Sequence, residues 1–242
     1  MVYISLFLIY FFMKHLSLVA CCWVLFSLVL VWCSHTPSTI HDLGASIERE
    51  WQLLVLQNIW LEEFPDVCAL LTPEQAIWIK SIDAIDNTIQ NVSWDLTCLP
   101  NLTEIDLSFN EVTQVGYLWV PLKKLFVQGN ELSSLSDISQ MYTGLQSLVI
   151  NQNNLTNLDG VERFANLRNL ELHNNQLTNL EGLQNLTRLE KIKLEWNQLD
   201  TLDILDDIPN LGFVTARRNQ IPEEELIPRE QKTRTYVPSA WM

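Results

Sequence analysis

The sequence predicts an α/β solenoid, a stack of similar coils that each carry one short parallel strand. Three observations predict it. One phrase recurs from Ile79, Leu102, Leu122, Leu145, Leu167, Leu189 and Leu211, in steps of 23, 20, 23, 22, 22 and 22 residues. Within each copy, apolar residues hold places 1, 4, 6 and 11, as in LRNLELHNNQL from Leu167. Place 9 is asparagine every time: Asn87, Asn110, Asn130, Asn153, Asn175, Asn197 and Asn219. A unit this short cannot bury its own apolar face, so it must stack on its neighbours.

Each place has a physical task. A strand through places 3 to 8 points alternate side chains to opposite sides, sending 4 and 6 into a shared core. Asparagine at place 9 turns the chain out of the strand. Its amide can bond the backbone of the neighbouring coil, which a buried turn requires. The return half is periodic too. Place 14 is Val92, Val115, Leu135, Leu158, Leu180 and Leu202, and place 17 is Leu118, Ile138, Val161, Leu183 and Leu205 in coils two to six. The solenoid is expected over 79–221.

Residues 1–33 are a targeting or anchoring segment outside the fold. Val2 to Met13 is apolar but shorter than the ~20 residues that span a bilayer. Leu16 to Cys33 is a second apolar run behind Lys14 and His15, so Met13 is an alternative start. Three fates are open: cleavage near Ser34, retention as a signal anchor, or lipidation of a cysteine after cleavage. Leu18-Val19-Ala20-Cys21 and Leu30-Val31-Trp32-Cys33 are the two candidate lipidation sequences, and Cys33 is the better placed.

Residues 34–44 read as a polar linker. From Ala45 to Glu63, Ile47, Trp51, Leu54, Val55 and Ile59 fall at helical spacing. Thr72-Pro73-Glu74-Gln75 has the cap, proline and reciprocal glutamine of a helix start. A mostly helical N-terminal cap over 45–78 is therefore expected to cover the first coil. Past Ile221 the pattern stops. Residues 222–242 form a C-terminal cap or tail, with Leu226, Ile227, Tyr236, Val237 and Trp241 available to cover the last coil.

The chain carries 15 basic and 29 acidic residues, net −14, and Lys14 is the only charge in the first 33 residues. The remainder is thus strongly acidic, which argues against nucleic acid or an anionic membrane surface as its main partner. Any membrane contact would come through the N-terminal segment. Of the five cysteines, Cys68 in the cap and Cys98 at place 20 of the first coil could pair in an oxidising compartment. Place 20 is a core position in other coils, so a buried thiol is the competing reading for Cys98.

The 22-residue phrase is the leucine-rich repeat pattern. LTNLDGVERFANLRNLEL and LTNLEGLQNLTRLEKIKL make it resemble the repeats of bacterial internalin-type proteins. That resemblance implies a curved right-handed solenoid, parallel strands on the concave face, short 3₁₀ or irregular segments on the convex face, and a protein-binding role at a cell surface. No sortase signal or immunoglobulin-like region follows the repeats, and the leader fits a Gram-negative envelope better.

The concave face is then expected to hold the binding residues. Phe109, Phe126, Val149 and Trp196 are apolar at outward places, with His173, Lys193, Arg217 and Arg218 among them. The face reads acidic over the first two coils and basic over the last two, with Lys191 added. Exposed aromatics flanked by charge bury area at little entropic cost.

Catalysis is not expected. His173 lies near Glu171 and Glu195, which could in principle hold a metal or shuttle a proton. HExxH, paired CxxC and a nucleophile elbow are all missing from the sequence, so a solvated polar strip is the simpler meaning. No cofactor and no metal are implied. The reading is an exported, non-catalytic module that binds another protein. The alternative class is an intracellular regulatory subunit of the phosphatase-binding type, which would require the apolar leader to be spurious.

Overall fold

A computed structural model describes residues 46–48, 52–93, 95–116, 118–139 and 142–227. The leader, the linker, Cys33 and the tail from 228 lie outside the described residues. Seven short strands follow the repeat starts: β3 (Ser81–Asp83), β5 (Glu104–Asp106), β7 (Lys124–Phe126), β8 (Ser147–Val149), β9 (Asn169–Glu171), β10 (Lys191–Lys193) and β11 (Phe213–Thr215). All are parallel and in register, place 3 beside place 3. Two further strands, β4 (Asn91–Val92) and β6 (Gln114–Val115), pair on the return side of the first two coils.

The core runs through the middle of the stack. Places 4 and 6 are buried in every coil, from Ile82 and Ala84 to Val214 and Ala216. Leu118, Ile138, Val161, Leu183 and Leu205 meet them from the return side, where the chain makes the short helix Ser136–Ser139 and 3₁₀ turns at Val161–Arg163, Leu183–Asn185 and Asp203–Asp207. Parallel strands need such a crossover, and buried ends on both sides explain why each coil is apolar at so many places.

The asparagine row ties coil to coil. Asn153 accepts from the Leu132 N–H at 2.9 Å and donates to the Val127 carbonyl at 2.8 Å, both in the preceding coil. It also donates to Ile150 of its own coil at 3.2 Å. Asn110, Asn130, Asn175, Asn197 and Asn219 make the same pair of bonds to place 11 and place 6 of the coil before them. Each side chain thus satisfies one donor and one acceptor that the turn would otherwise leave buried and unpaired.

The N-terminal region differs from the expected helical cap. The described residues of 45–63 are not a helix: β1 (Ser46–Glu48) pairs antiparallel with β2 (Leu53–Val55), and β2 pairs parallel with β3 in the repeat register. Leu54 and Leu56 take the buried places 4 and 6, so the solenoid begins one coil earlier than the asparagine pattern indicates. Place 9 of that coil is Ile59. Among the described residues no further repeat coil precedes it for an asparagine to bond, while Asn87 of the next coil reaches back to the Ile59 and Leu61 N–H groups and the Leu56 carbonyl. The rest of the region holds two single-turn helices, α1 (Val67–Leu70) and α2 (Pro73–Ala76). Thr72 and Gln75 form the reciprocal cap at the start of α2.

Cys68 of α1 is bonded to Cys98 of the next coil across 30 residues. At the other end, 223–227 is helical. The Glu225 carboxylate accepts from the Leu202 N–H at 2.5 Å, and Ile221 and Leu226 pack on the core.

Two measurements test this account of the fold. Asn153→Ala leaves a buried carbonyl and N–H unpaired and should cost about 1–3 kcal/mol in urea unfolding; a neutral result contradicts the ladder. Cys98→Ala should cost about 2–4 kcal/mol by the same assay, through the freedom returned to the unfolded chain.

Candidate functional site

Place 4 points into the core, so places 3 and 5 stand on the open, concave face of the sheet. Their charges are more paired than the sequence suggests. Lys191 and Lys193 both donate to Glu171 at 3.0 Å, and Lys124 bonds Glu104 at 3.0 Å. Burial pushes the Glu171 carboxyl up, and the two lysines more than reverse it, leaving it below its ordinary value. Lys193 is therefore ion-paired within the face, sharing one carboxylate with Lys191. Lys191 also lies 5.5 Å from the Phe213 ring.

Asp83 and Asp106 face each other across β3 and β5, like charges directly opposite. Each carboxylate accepts the N–H two residues on, from Ile85 and Ser108. Burial pushes the Asp106 carboxyl above its ordinary value, the Ser108 hydrogen bonds oppose this, and Asp83 and Glu104 add to it.

Val149 does not belong to an exposed patch. It is 8% exposed, a short side chain between Phe126 and Glu171 in the register. Phe126 is half-buried in the same row. At place 7, Asn151 is 1% exposed, and neither atom of its amide has a hydrogen-bond partner. On the next two strands, the His173 Nδ1 and one Glu195 oxygen are also buried without partners. Burial holds the His173 imidazole below its ordinary value, against the pull of Glu195 and Glu171 and with that of Lys193.

Place 8 is the unusual row. Asp86, Phe109, Gly129, Gln152, Asn174, Trp196 and Arg218 all have positive φ, between 54° and 64°. This left-handed region suits glycine and asparagine; for a bulky side chain it costs about 1–2 kcal/mol. Yet Phe109 (φ 57°) and Trp196 (φ 58°) occupy it, 47% and 55% exposed. The Phe109 ring lies against Gly129, where an added Cβ would come within 2.7 Å of it. The Arg218 guanidinium stacks 5.0 Å over the Trp196 ring. Both aromatics are thus propped by the next coil. Arg217, at place 7, is exposed.

Sequence reasoning missed other exposed aromatics. Trp60, Trp78 and Trp119 lie outside the repeated places and are largely exposed. A cleft of about 760 Å³ on the flank of the first coils is lined by Glu62, Glu63 and Glu111 with Phe64, Thr88 and Gln90. Among the described residues, no group of three His, Cys, Asp or Glu is placed to hold a metal, and no helix is long and apolar enough to cross a membrane.

Two substitutions test these environments. Unfolded Asp106 loses its proton near pH ~4, and folded Asp106 only at higher pH, so its ionised form opposes folding above that window. Asp106→Asn should raise the melting temperature at pH 7 and leave it unchanged at pH 3; equal shifts at both would contradict this. Gly129→Ala should lower stability by about 1–2 kcal/mol, from its φ and from the displaced Phe109 ring.

No family model and no curated protein matches the sequence. Solved structures do. An internalin (inlF) from Listeria monocytogenes matches with a TM-score of 0.55 at 20% identity, over 68% of this chain and 50% of that one. Internalin C2 from the same species gives 0.51 at 24%, over 71% and 74%. TLR13, in its complex with ssRNA13, gives 0.58 at 17%, over 73% and 26%. This chain therefore spans half the length of the inlF chain and a quarter of TLR13. At such identities the likeness concerns the fold, and that fold is the leucine-rich repeat solenoid of the internalins.

Proposed function

We propose that the chain is an exported, non-catalytic module that binds another protein through its concave face and the rim of that face. The observation that carries this reading is the pair Phe109 and Trp196. Exposed aromatics at left-handed backbone positions occur elsewhere too, at Trp60 and Trp119; Phe109 and Trp196 are distinguished by standing in one row of the strand ladder, where two fixed rings can act on one partner. Fixed aromatics with exposed area are also the residue types that dominate binding energy.

Export is supported by the apolar first 33 residues and by the Cys68–Cys98 bond, which persists in oxidising compartments. The same bond disfavours the intracellular regulatory reading. The envelope is the proposed location, membrane-anchored or periplasmic, with Cys33 as the candidate lipidated residue. The TLR13 complex carries RNA on this fold, so the fold does not exclude a nucleic acid partner. The net charge of −14 disfavours one here, because phosphate binding draws its affinity from basic residues. His173 is half-buried with an unpaired Nδ1, and no nucleophile stands beside it, which favours binding over catalysis.

The test compares wild type with Phe109→Asn/Trp196→Asn, each expressed as the full tagged chain and purified with its partner from the cell envelope. Asparagine suits the left-handed backbone. The double variant should melt no lower than wild type, since the strain of both rings is relieved, and lose at least tenfold in partner recovery, about 1.4 kcal/mol or more. Undiminished recovery would rule out the aromatic pair as anchors.

A further inference from the structure

We infer that the place-8 row is a track for one extended polypeptide segment of the partner, carrying two apolar side chains about six residues apart, a basic residue beyond one and an acidic residue beyond the other. This rests on the protein-binding reading and specifies what that site takes.

The spacing comes from the register. Phe109 and Trp196 belong to β5 and β10 coils, four steps apart in a ladder without slips. At ~4.8 Å per step the two rings stand roughly 19 Å apart. An extended chain rises ~3.3 Å per residue, so about six residues cover that distance. Six is even, and side chains six apart leave the same side of an extended segment. One strand can therefore set an apolar residue on each ring.

The floor between the rings is low and polar. Gly129 has no side chain, and Gln152 and Asn174 carry amides that both donate and accept, the chemistry of a main-chain peptide group. Of the place-7 side chains that flank this floor, Asn151 is buried, His173 is half-buried, and Gln128 lies along it, donating to the Gln152 amide oxygen at 3.2 Å. Within this row the large exposed apolar side chains, Phe109 and Trp196, stand in single file. A broad folded surface would leave most of that file uncovered, whereas an extended segment follows it.

The ends are charged in opposite senses. Asp86 stands exposed one coil before Phe109. Arg218 stands exposed one coil after Trp196 with its guanidinium stacked on the ring, and a guanidinium stacked in this way can still take a carboxylate along its edge. The full track from Asp86 to Arg218 is roughly 29 Å, about nine extended residues. Charge complementarity fixes the direction: the basic end of the segment lies at Asp86.

The test uses a phage-displayed library of random twelve-residue peptides, selected on the full chain in detergent. Enriched peptides are then synthesised and their affinities measured by fluorescence anisotropy. The expected result is a shared pattern of two apolar residues six apart, basic outside one and acidic outside the other. Binding should weaken at least tenfold for Phe109→Asn, for Trp196→Asn, and for the same peptide with its apolar residues moved to a spacing of four. Asp86→Lys should reverse the preference at the basic end. Melting temperatures near that of wild type establish that each variant is folded. Peptides without a common spacing that still depend on both rings would overturn the track while leaving the protein-binding reading intact. No enrichment, or peptides that bind the variants unchanged, would overturn the track, and unchanged binding would also remove the two rings as anchors.

Discussion

The structure depends on one repeated hydrogen-bonding geometry, the asparagine amide that reaches from place 9 into the preceding coil. A parallel strand of three residues has little stability alone. Its turn buries backbone donors and acceptors that no water can serve, and each such group left unpaired costs about 1–3 kcal/mol. One side chain with an acceptor and two donors meets this demand at every coil. The apolar places then supply the driving force, but the amide sets the register in which they stack. The same logic explains the one missing asparagine. Ile59 belongs to the first described coil, and among the described residues a ladder side chain has no preceding coil to hold there.

Legibility in the sequence followed this division. The repeat starts, the buried places and the amide row were readable because each coil imposes the same constraint on the same place. The first coil was not. Ile47, Leu54, Val55 and Ile59 satisfy a helical period as well as a strand pair and a repeat turn, and only pairing with β3 decides between them. Fine surface features escaped for a related reason. Val149 reads as exposed from its place, but Phe126 and Glu171 beside it close over a short side chain. Lys193 reads as a free cation until Glu171 is seen between two lysines. Neighbour contacts across 20 or more residues decide burial and pairing, and the period alone does not contain them.

What the sequence could not display at all is the backbone at place 8. The letters Phe109 and Trp196 are ordinary; their left-handed φ is not. Five of the seven neighbouring copies put glycine, asparagine, glutamine or a charged residue there, and two put large rings. The fold tolerates them because Gly129 and Arg218 support each ring from the following coil. Strain accepted at two exposed positions of one row, with structural support arranged around them, is what the proposed binding role rests on.

The central claim is that the partner lies along the concave rim and leaves the convex turns free. Hydrogen exchange of the full chain, alone and with the partner it purifies with, tests it most directly. Exchange should slow in segments containing Phe109 and Trp196, with no change at Val161–Arg163 or Leu183–Asn185. Slower exchange confined to those convex turns would contradict it.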